Sequence, residues 1–531
     1  MVKSGQAPES TYGGEVEMLA IRQGSGSLLP FEYALQRQVQ TRVADVTDVY
    51  EQPAHIAHDS SKHLIEIGGG VHRELSQLLY VLRHSISELQ TTLTTECEGG
   101  LLSSSYHPFE KPASAYKNVL PKPIYDLFRG IHNDKNYLHP TALQKVYPTH
   151  PHTGRGWRHE LTALAAATQP WNSLKVEEAA EQIAVMQATG WLFNLLTANS
   201  PFAEWKLTGK RDYRLEIWNL LMETSRYAQD KELIKNLPAK PKNLTDYYRY
   251  VFSKQRPMII PDEQMDPNVD YKVQFRAVVQ PADNVEFNVF TYLLADSVKV
   301  ADRCTGNVQR IKPSVAHVFN GCDFLYFPRY GARLRVDLPK GDQIDPKLFA
   351  NAILEGDETT LRALFIQAGV KEGFMCAEGR VAATVLPTEE EPDWKRFSIP
   401  FVLQTAILRT YKEISDLLAT TTLTWTELTE VLPALTNSTK HGFKTQIREV
   451  HISELAKQIW ALAQQSLSHA ERLLVGDEID TILLKQKAPA EDQIAFFSEM
   501  SQRHTEHDAL LDTVQMNLTV VHSENHSEIA S

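Results

Sequence analysis

Hydrophobic residues follow two different periods over the first hundred positions of the chain. The stretch TYGGEVEMLAI (11–21) has the period-two pattern of a strand, and SKHLIEIGGG (61–70) predicts a second short strand that ends in glycines. Leucines and an isoleucine then recur at helical spacing between Leu75 and Leu93, which predicts a long helix. This order of elements indicates a fold that mixes strands and helices.

The middle of the chain contains two further helical patterns. The stretch ELTALAAATQPWNSL (160–174) is predicted to enter a helix near Asn172 or Ser173, because either residue can cap a helix. A second helix is predicted in YRLEIWNLLMETSRYA (213–228), where the apolar residues again recur at helical spacing.

The spacing changes once more in the second half of the chain. Alternating segments over residues 235–345 predict more strands, whereas the pattern from about residue 346 onwards is almost entirely helical. The last ten residues, HSENHSEIAS, have the composition of a disordered tail. We therefore predict a β-containing catalytic domain over residues 1–345 and a mainly helical C-terminal region with a disordered tail over residues 346–531.

The composition excludes several classes of protein. Of 531 residues, 42% are hydrophobic and 23% are charged, and the formal net charge of −12 argues against binding to nucleic-acid backbone. The four cysteines show no CxxC spacing, which predicts a reducing compartment and no structural zinc site. Because there is neither a signal-peptide core nor a long apolar run, we expect a soluble, cytoplasmic protein without a membrane partner.

Carboxylates interrupt both predicted N-terminal strands. Residues two apart on a strand share a face, so Glu15 and Glu17 point to the same side of a strand whose other side is apolar. Glu66 is a lone carboxylate within the second strand. A solvated face explains a glutamate pair, but carboxylates in buried strands need partners, and magnesium accepts several oxygen ligands. The pattern therefore leaves two interpretations open, an ion-paired structural cluster and a metal site for phosphoryl transfer.

Five segments, in their order along the chain, resemble the glutamate–cysteine ligases of the plant and proteobacterial type. One is LLTANSPFAEWKLTGKRDYRLEIW (195–218), and its part from Thr197 to Trp218 is the most specific: ANSPF closes one helix and an Arg-x-x-Ile-Trp signature opens the next. The other four are GGEVEMLAI (13–21), HLIEIGGGVHREL (63–75), SSSYHPF (103–109) and TALAAATQPWNSLKVEEAAEQI (162–183). The resemblance covers residues 12 to 220.

The resemblance implies a fold, a reaction and a set of ligands. The fold is α+β and glutamine-synthetase-like, with a curved antiparallel sheet that is packed with helices and forms a funnel, here followed by a helical C-terminal extension. The reaction transfers the γ-phosphate of ATP to a substrate carboxylate, and an amine then attacks the acyl phosphate. Glutamate, activated at its γ-carboxyl, is the expected acid, and cysteine or a related amino acid is the expected amine. Mg²⁺ and ATP are the implied cofactor and co-substrate.

The resemblance also assigns roles to individual residues. Glu15 and Glu17 match the magnesium ligands of the family's first strand, and Glu66 matches the acidic residue of the second strand. Gln169 lies where the family places a histidine or glutamine at the nucleotide and metal end of the site. Arg214 matches the arginine that is expected near the transferred phosphate.

Two further arginines are candidates for binding anions. Arg155 lies in the glycine-flexed loop TGRGWRHE (153–160), which is suited to hold a carboxylate or phosphate bidentately, although a solvated loop is an equal alternative. The family also has a later strand with a Glu-x-Arg pattern, for which Arg333-Leu334-Arg335 is the best match. In this match Arg335 takes the role of the phosphate-binding arginine. Arg333 stands where the family has the metal-binding glutamate, and Asp337 is the candidate to replace that carboxylate.

Two alternatives to an ATP-dependent ligase stay open. One is a non-catalytic relative that keeps the fold and uses its helical C-terminal half to bind a partner, as the replacement at Arg333 would favour. The other is a phosphotransferase that acts on a small guanidino acceptor, because one fold can host several reactions.

Overall fold

The computed structural model describes residues 10–47, 54–120, 122–129, 157–225, 227–262, 274–280, 287–321 and 325–520. Its strands, in chain order, are β1 (Tyr12–Arg22), β2 (His55–His58), β3 (Leu64–His72), β4 (Gly99–Leu102), β5 (Thr168–Lys175), β6 (Phe202–Ala203), β7 (Lys206–Leu207), β8 (Ile259–Pro261), β9 (Phe275–Val279), β10 (Val298–Asp302), β11 (Val308–Ile311), β12 (Ala332–Arg335), β13 (Phe374–Gly379), β14 (Gln446–Ile447) and β15 (Val450–His451).

The helices of the described residues lie between and after these strands. In chain order they are α1 (Tyr33–Thr47), α2 (Leu75–Cys97), α3 (Pro112–Ala115), α4 (Pro123–Arg129), α5 (Ala179–Ala188), α6 (Gly190–Thr197), α7 (Arg214–Glu223), α8 (Leu244–Lys254), α9 (Val289–Leu294), α10 (Val315–Gly321), α11 (Pro346–Glu355), α12 (Glu358–Gln367), α13 (Lys395–Arg409), α14 (Tyr411–Thr420), α15 (Leu432–Thr436), α16 (Ile452–Ala463), α17 (His469–Leu473), α18 (Glu478–Lys485), α19 (Pro489–Met500) and α20 (Glu506–Met516).

The main sheet has seven strands in the order β12-β13-β5-β1-β3-β2, with β4 paired to β1 beside this path. Every neighbouring pair of its strands runs antiparallel. β3 runs along one edge of β1, whereas on the other edge β5 pairs with the first half of β1 and β4 with the second half. An antiparallel sheet covered with helices confirms the predicted α+β class at this level.

β1 is buried on both of its faces, as its sequence predicts. One face carries Val16, Met18 and Ala20 into the main hydrophobic core. On the other face, Leu19 and Ile21 join a smaller cluster that includes residues from the C-terminal helices. Because apolar side chains fill both sides, the glutamates of this strand face a protein cavity rather than bulk water.

The long helix α2 packs directly on the main sheet. Its leucine and isoleucine positions face the core, which confirms the predicted helix. The three glycines after Ile67 are part of β3, and Gly69 is the one that α2 approaches closely. A Cβ atom on Gly69 would lie 2.5 Å from the Cδ1 atom of Leu78, so a side chain at this position would force the leucines of α2 to shift.

One prediction about the middle of the chain was wrong, and the structure places a strand of the main sheet in the region predicted to be mainly helical. Residues 168–175 form the strand β5 instead of the start of a helix, because they pair with β1 and β13 on their two edges. β13 lies after residue 346, in the region predicted to be mainly helical, yet it is hydrogen-bonded between β5 and β12. Although helices dominate residues 346–520, the suggested boundary at 345 does not separate the sheet from them. The predicted tail lies outside the described residues.

A second, four-stranded antiparallel sheet with the order β11-β10-β9-β8 lies in the middle third of the chain. Residues of β8 and β9 share an apolar cluster with the aromatic side chains of α4 and with Trp157. This cluster borders the cavity described below. Within the described part of the chain, every helix is too short or too polar to cross a lipid bilayer.

Candidate active site

A large open cavity, with an empty volume of about 1110 Å³, lies on one face of the main sheet. Three kinds of side chain line it. They are the carboxylates Glu15, Glu17, Asp59, Glu66 and Glu378; the arginines Arg214, Arg333, Arg335 and Arg380; and an apolar wall that includes Tyr125, Phe128, Trp157, Trp171, Trp218 and Phe327. All six described residues that were predicted as metal, phosphate or nucleotide ligands line this cavity: Glu15, Glu17, Glu66, Gln169, Arg214 and Arg335. Arg155, the remaining candidate, lies outside the described residues.

The acidic side of the cavity is built by strand pairing. Glu17 on β1 lies directly opposite Glu66 on β3, and Glu15 is two residues further along the same face. Asp59 follows the end of β2, which is the other neighbour of β3. The pKa of Glu17 is raised well above its ordinary value, first by burial and then by the negative charges of Asp59 and Glu66. The charges on this wall repel one another, and a bound cation would relieve that repulsion.

The carboxylates of the acidic wall are not arranged as a preformed metal site. Among the described residues, no group of three or more His, Cys, Asp or Glu side chains is arranged to hold a metal ion. The carboxylates share one wall of the cavity, but a divalent ion would have to draw them together through changes of side-chain rotamer. Their chemistry fits such an ion, since hard carboxylate oxygens are the ligands that Mg²⁺ prefers.

The basic side of the cavity is organised around Glu378 on β13. Arg333 on β12 donates to its carboxylate at 3.0 Å, and Arg380 donates to the other carboxylate oxygen at 2.7 Å. Arg335 lies 3.7 Å from the same group. Burial by itself would raise the pKa of Glu378, but the positive charges of these three arginines outweigh burial and hold the pKa at about 2.

Gln169 connects the two sides of the cavity. It lies on β5 directly opposite Glu15, and its amide nitrogen donates to the Glu17 carboxylate at 2.8 Å. Its amide oxygen accepts a hydrogen bond from Arg380 at 2.5 Å. Because one amide donates to a carboxylate and accepts from a guanidinium, Gln169 holds the acidic and basic groups in a fixed relationship.

Arg214, at the start of α7, is fully buried, and its guanidinium contacts the protein itself. It donates to the side chain of Asp212 at 3.2 Å and to the backbone carbonyls of Arg380, at 3.3 Å, and Val381. Its Nε is the one nitrogen of the guanidinium that is buried without a hydrogen-bond partner among the described residues. Arg214 lines the cavity, as predicted, but its N–H groups already hold the chain that follows β13. A phosphate would have to share them.

The structure brings a second Glu-x-Arg pattern into the cavity. Glu378-Gly379-Arg380 has this pattern and lies in the cavity, next to the β12 strand to which the pattern was assigned. It was missed because residues after 346 were assigned to helices. Asp337, the suggested substitute carboxylate, is exposed and lies 3.6 Å from Lys371, outside the residues that line the cavity.

Two other parts of the site could not be predicted from the sequence around them. Asp59 accepts a hydrogen bond from the hydroxyl of Tyr125 at 3.1 Å, and nothing in its neighbourhood along the chain marks it as part of the site. The aromatic wall is assembled from distant segments: the rings of Phe128 and Trp157 stack at 4.5 Å, and the indole of Trp157 donates to the buried Asp230 at 2.9 Å.

Comparison with known proteins defines the class of the chain. Residues 11–290 match the model of the family described as Glutamate-cysteine ligase family 2. This match covers more than half of the chain, and it makes the protein a ligase of the carboxylate–amine class. The chain belongs to glutamate–cysteine ligase family 2 and is a glutamate–cysteine ligase-like enzyme. Glu378 and Arg380 lie beyond the matched residues, but they belong to the same sheet.

Solved structures resemble the chain at low sequence identity. A glutamate–cysteine ligase from Francisella tularensis in complex with AMP is 11% identical, with a TM-score of 0.48 and coverage of 96% of this chain and 88% of that one. A bifunctional glutathione synthetase from Pasteurella multocida is 9% identical, with a TM-score of 0.44 and coverage of 96% and 51%. No curated protein sequence matches the chain.

Proposed function

We propose that the protein is an ATP- and Mg²⁺-dependent ligase that activates the γ-carboxylate of glutamate as an acyl phosphate and joins it to the amine of cysteine or a related amino acid. One observation carries this proposal: a single cavity places an acidic wall beside an arginine cluster, with Gln169 hydrogen-bonded to both. ATP with a divalent ion and an anionic amino acid need these two environments side by side.

The acidic wall is the proposed metal end of the site. Glu15, Glu17 and Glu66 would hold Mg²⁺, and Asp59, which lines the same wall, is a fourth candidate. A bound magnesium ion neutralises the charge of the phosphates and of the transition state. Burial and the negative charges of Asp59 and Glu66 raise the pKa of Glu17, which supports a cation-binding role for this wall.

The arginine cluster is the proposed end for substrate anions. The guanidinium of Arg333 is almost completely buried and binds Glu378, whereas Arg335 is 27% exposed and forms a longer ion pair with that carboxylate, at 3.7 Å. Arg335 also lies over the ring of Trp171, at 5.4 Å from its centroid. Arg335 is therefore positioned to donate to a phosphate or to a substrate carboxylate, while Arg333 and Glu378 support it.

The proposed reaction needs no nucleophilic side chain. A γ-carboxylate oxygen of glutamate attacks the γ-phosphorus of ATP, and the bond to the bridging oxygen breaks, so that ADP leaves. The amine then attacks the acyl carbon, loses a proton, and releases inorganic phosphate as the amide bond forms. The chain contributes alignment and charge stabilisation to both steps. We infer that the sheet curves into a funnel around them and that the product supplies glutathione biosynthesis.

A product screen tests this function. The protein is incubated with ATP, Mg²⁺ and glutamate plus a panel of amino acids, and ADP and γ-glutamyl products are measured by mass spectrometry. We expect both products in equal amounts, and we expect E17Q to abolish them, because glutamine cannot replace a carboxylate metal ligand. E74Q is the matched control, since Glu74 is exposed and is not one of the residues that line the cavity. Wild-type turnover by E17Q would contradict the metal role.

The two alternatives give different results in the same screen. A non-catalytic relative would form no ADP, and a phosphotransferase would form ADP together with a phosphorylated acceptor but no amide. The arginine at position 333, in place of the family's glutamate, was the argument for a non-catalytic relative. This argument is weaker because Glu378 and Arg380 provide a Glu-x-Arg pattern in the same cavity.

A further inference from the structure

The position of Arg380 in the cavity depends on the chain immediately behind it. Arg380 donates to both Gln169 and Glu378, so its placement affects both sides of the site. Its backbone carbonyl and that of Val381 accept hydrogen bonds from the guanidinium of Arg214. Arg214 therefore holds the main chain from which the Arg380 side chain reaches into the cavity.

Arg214 is in turn held by Asp212. One carboxylate oxygen of Asp212 accepts from the Arg214 guanidinium at 3.2 Å, and the other accepts from the Arg214 backbone N–H at 3.0 Å. The second oxygen also accepts from the hydroxyl of Ser200 at 2.6 Å. Asp212 and Arg214 are both almost completely buried, so each would leave an uncompensated buried charge if the other moved away.

The residue that anchors Asp212 comes from the helical C-terminal region. Asn437, at the end of α15, accepts from the backbone N–H of Asp212 at 2.7 Å and donates to the backbone carbonyl of Asp212 at 2.9 Å. Its own carbonyl accepts from the N–H of Arg211 at 2.7 Å. The side chain of Asn437 is fully buried. These bonds join α15 to the loop that carries Asp212.

A second contact from the same region supports this loop. The buried guanidinium of Arg211 forms two hydrogen bonds with Glu491 of α19, at 2.5 and 2.9 Å, and a third with the carbonyl of Thr436 at 3.1 Å. The Arg211 guanidinium also lies 5.1 Å from the ring centroid of Phe443. Bidentate pairs of this kind fix direction as well as distance.

We propose that Asn437 is a positioning residue of the ligase site, acting through Asp212 and Arg214 on Arg380, and that Glu491 reinforces it through Arg211. This inference rests on the proposed function, and it assigns a task to the helical C-terminal region. Hydrogen bonds from this region fix the position of the chain that carries Arg380, a different task from binding a partner protein. A displacement of about 1 Å at a positioned group reduces turnover by up to ~100-fold, so a buried hydrogen-bond network is a sufficient means of control.

The test compares N437A with Q493A. Gln493 is also a buried amide in the C-terminal helices, but its side chain donates to Asn517 and has no part in the network. We expect N437A to lower kcat by roughly 10-fold or more while the KM for ATP changes little. Q493A should lose a similar amount of thermal stability and keep its kcat. E491Q is a milder change at a partly exposed residue and should lower kcat less than N437A does. It replaces N437A as the test variant if N437A does not fold.

A second measurement keeps this test separate from the proposed function. Amide hydrogen exchange over residues 375–386 should be faster in N437A than in the wild type and unchanged in Q493A, whether or not the protein makes a γ-glutamyl product. Faster exchange without any wild-type product would contradict the proposed function and leave the coupling standing. Unchanged exchange in N437A, or equal loss of kcat in N437A and Q493A, would overturn the positioning role.

Discussion

Glu17 and Glu66 lie directly opposite each other on β1 and β3, with both side chains lining one cavity. Like charges at directly opposed positions of an antiparallel pair destabilise a sheet. The structure tolerates the arrangement because Gln169 donates to Glu17 and because burial raises the pKa of this carboxyl group. A bound cation would offset the repulsion between the two carboxylates, and this is the physical argument for a cation site here.

The first prediction concerns the stability of E17Q without metal. A carboxyl group whose pKa is raised on folding stabilises the protein fully below its unfolded pKa, and this contribution is lost as the pH rises through the folded pKa. At pH 7.5 in a chelator, glutamine mimics the protonated form, so E17Q should raise the apparent Tm by about 1–2 °C in a chain of this length. Differential scanning fluorimetry measures this shift.

Mg²⁺ should stabilise the wild type more than it stabilises E17Q. Added Mg²⁺ should raise the apparent Tm of the wild type and of E74Q, since a ligand that binds the folded state stabilises it. E17Q should respond much less. An equal shift in all three proteins would show that the ion binds elsewhere.

The second prediction separates Arg333 from Arg335. Arg333 is buried and bonded to Glu378, so R333K should destabilise the protein by about 3 kcal/mol, because lysine cannot replace both bonds to a buried carboxylate. R335K should keep most of the stability, since Arg335 is more exposed, and should raise a substrate KM by about 10-fold. Urea unfolding and steady-state kinetics provide the two measurements. An unchanged KM in R335K would argue against its role in anion binding.

The third prediction concerns acid stability. Burial lowers the pKa of His107 to about 3, and its ring contacts the backbone carbonyl of Gly26 at 3.0 Å. A histidine with a lowered folded pKa stabilises the protein above its unfolded pKa, near 6.5, and this contribution is lost as the pH falls towards the folded value. As the pH falls from 6 to 4, protonation of His107 should therefore lower the free energy of unfolding by about 1.4 kcal/mol per pH unit.

A variant isolates this contribution from the other titrating groups. H107Q should show a shallower loss of unfolding free energy than the wild type when urea unfolding is compared at several pH values over this range. Glu17 acts in the opposite direction, because protonation of its carboxyl group favours the folded state. Identical slopes in the wild type and H107Q would contradict the prediction.

Local patterns in the sequence were sufficient for the elements that begin the fold. The period-two spacing around Glu15 and Glu17 predicted a strand buried on both faces, and the helical spacing from Leu75 predicted α2. The motif around Arg214 predicted the family, which the match over residues 11–290 confirms. The site roles of the individual residues stay predictions.

The assembly of the site was decided only by tertiary structure. Residues 168–175 lack a clear period because β5 is largely buried on both faces, so Asn172 and Ser173 were interpreted as helix caps. Glu378 reaches Arg333 through strand pairing, and Asn437 reaches Asp212 across 225 residues of chain. Periodicity reports which face of an element is buried, whereas the choice of neighbours depends on contacts between distant segments, and these leave no local pattern.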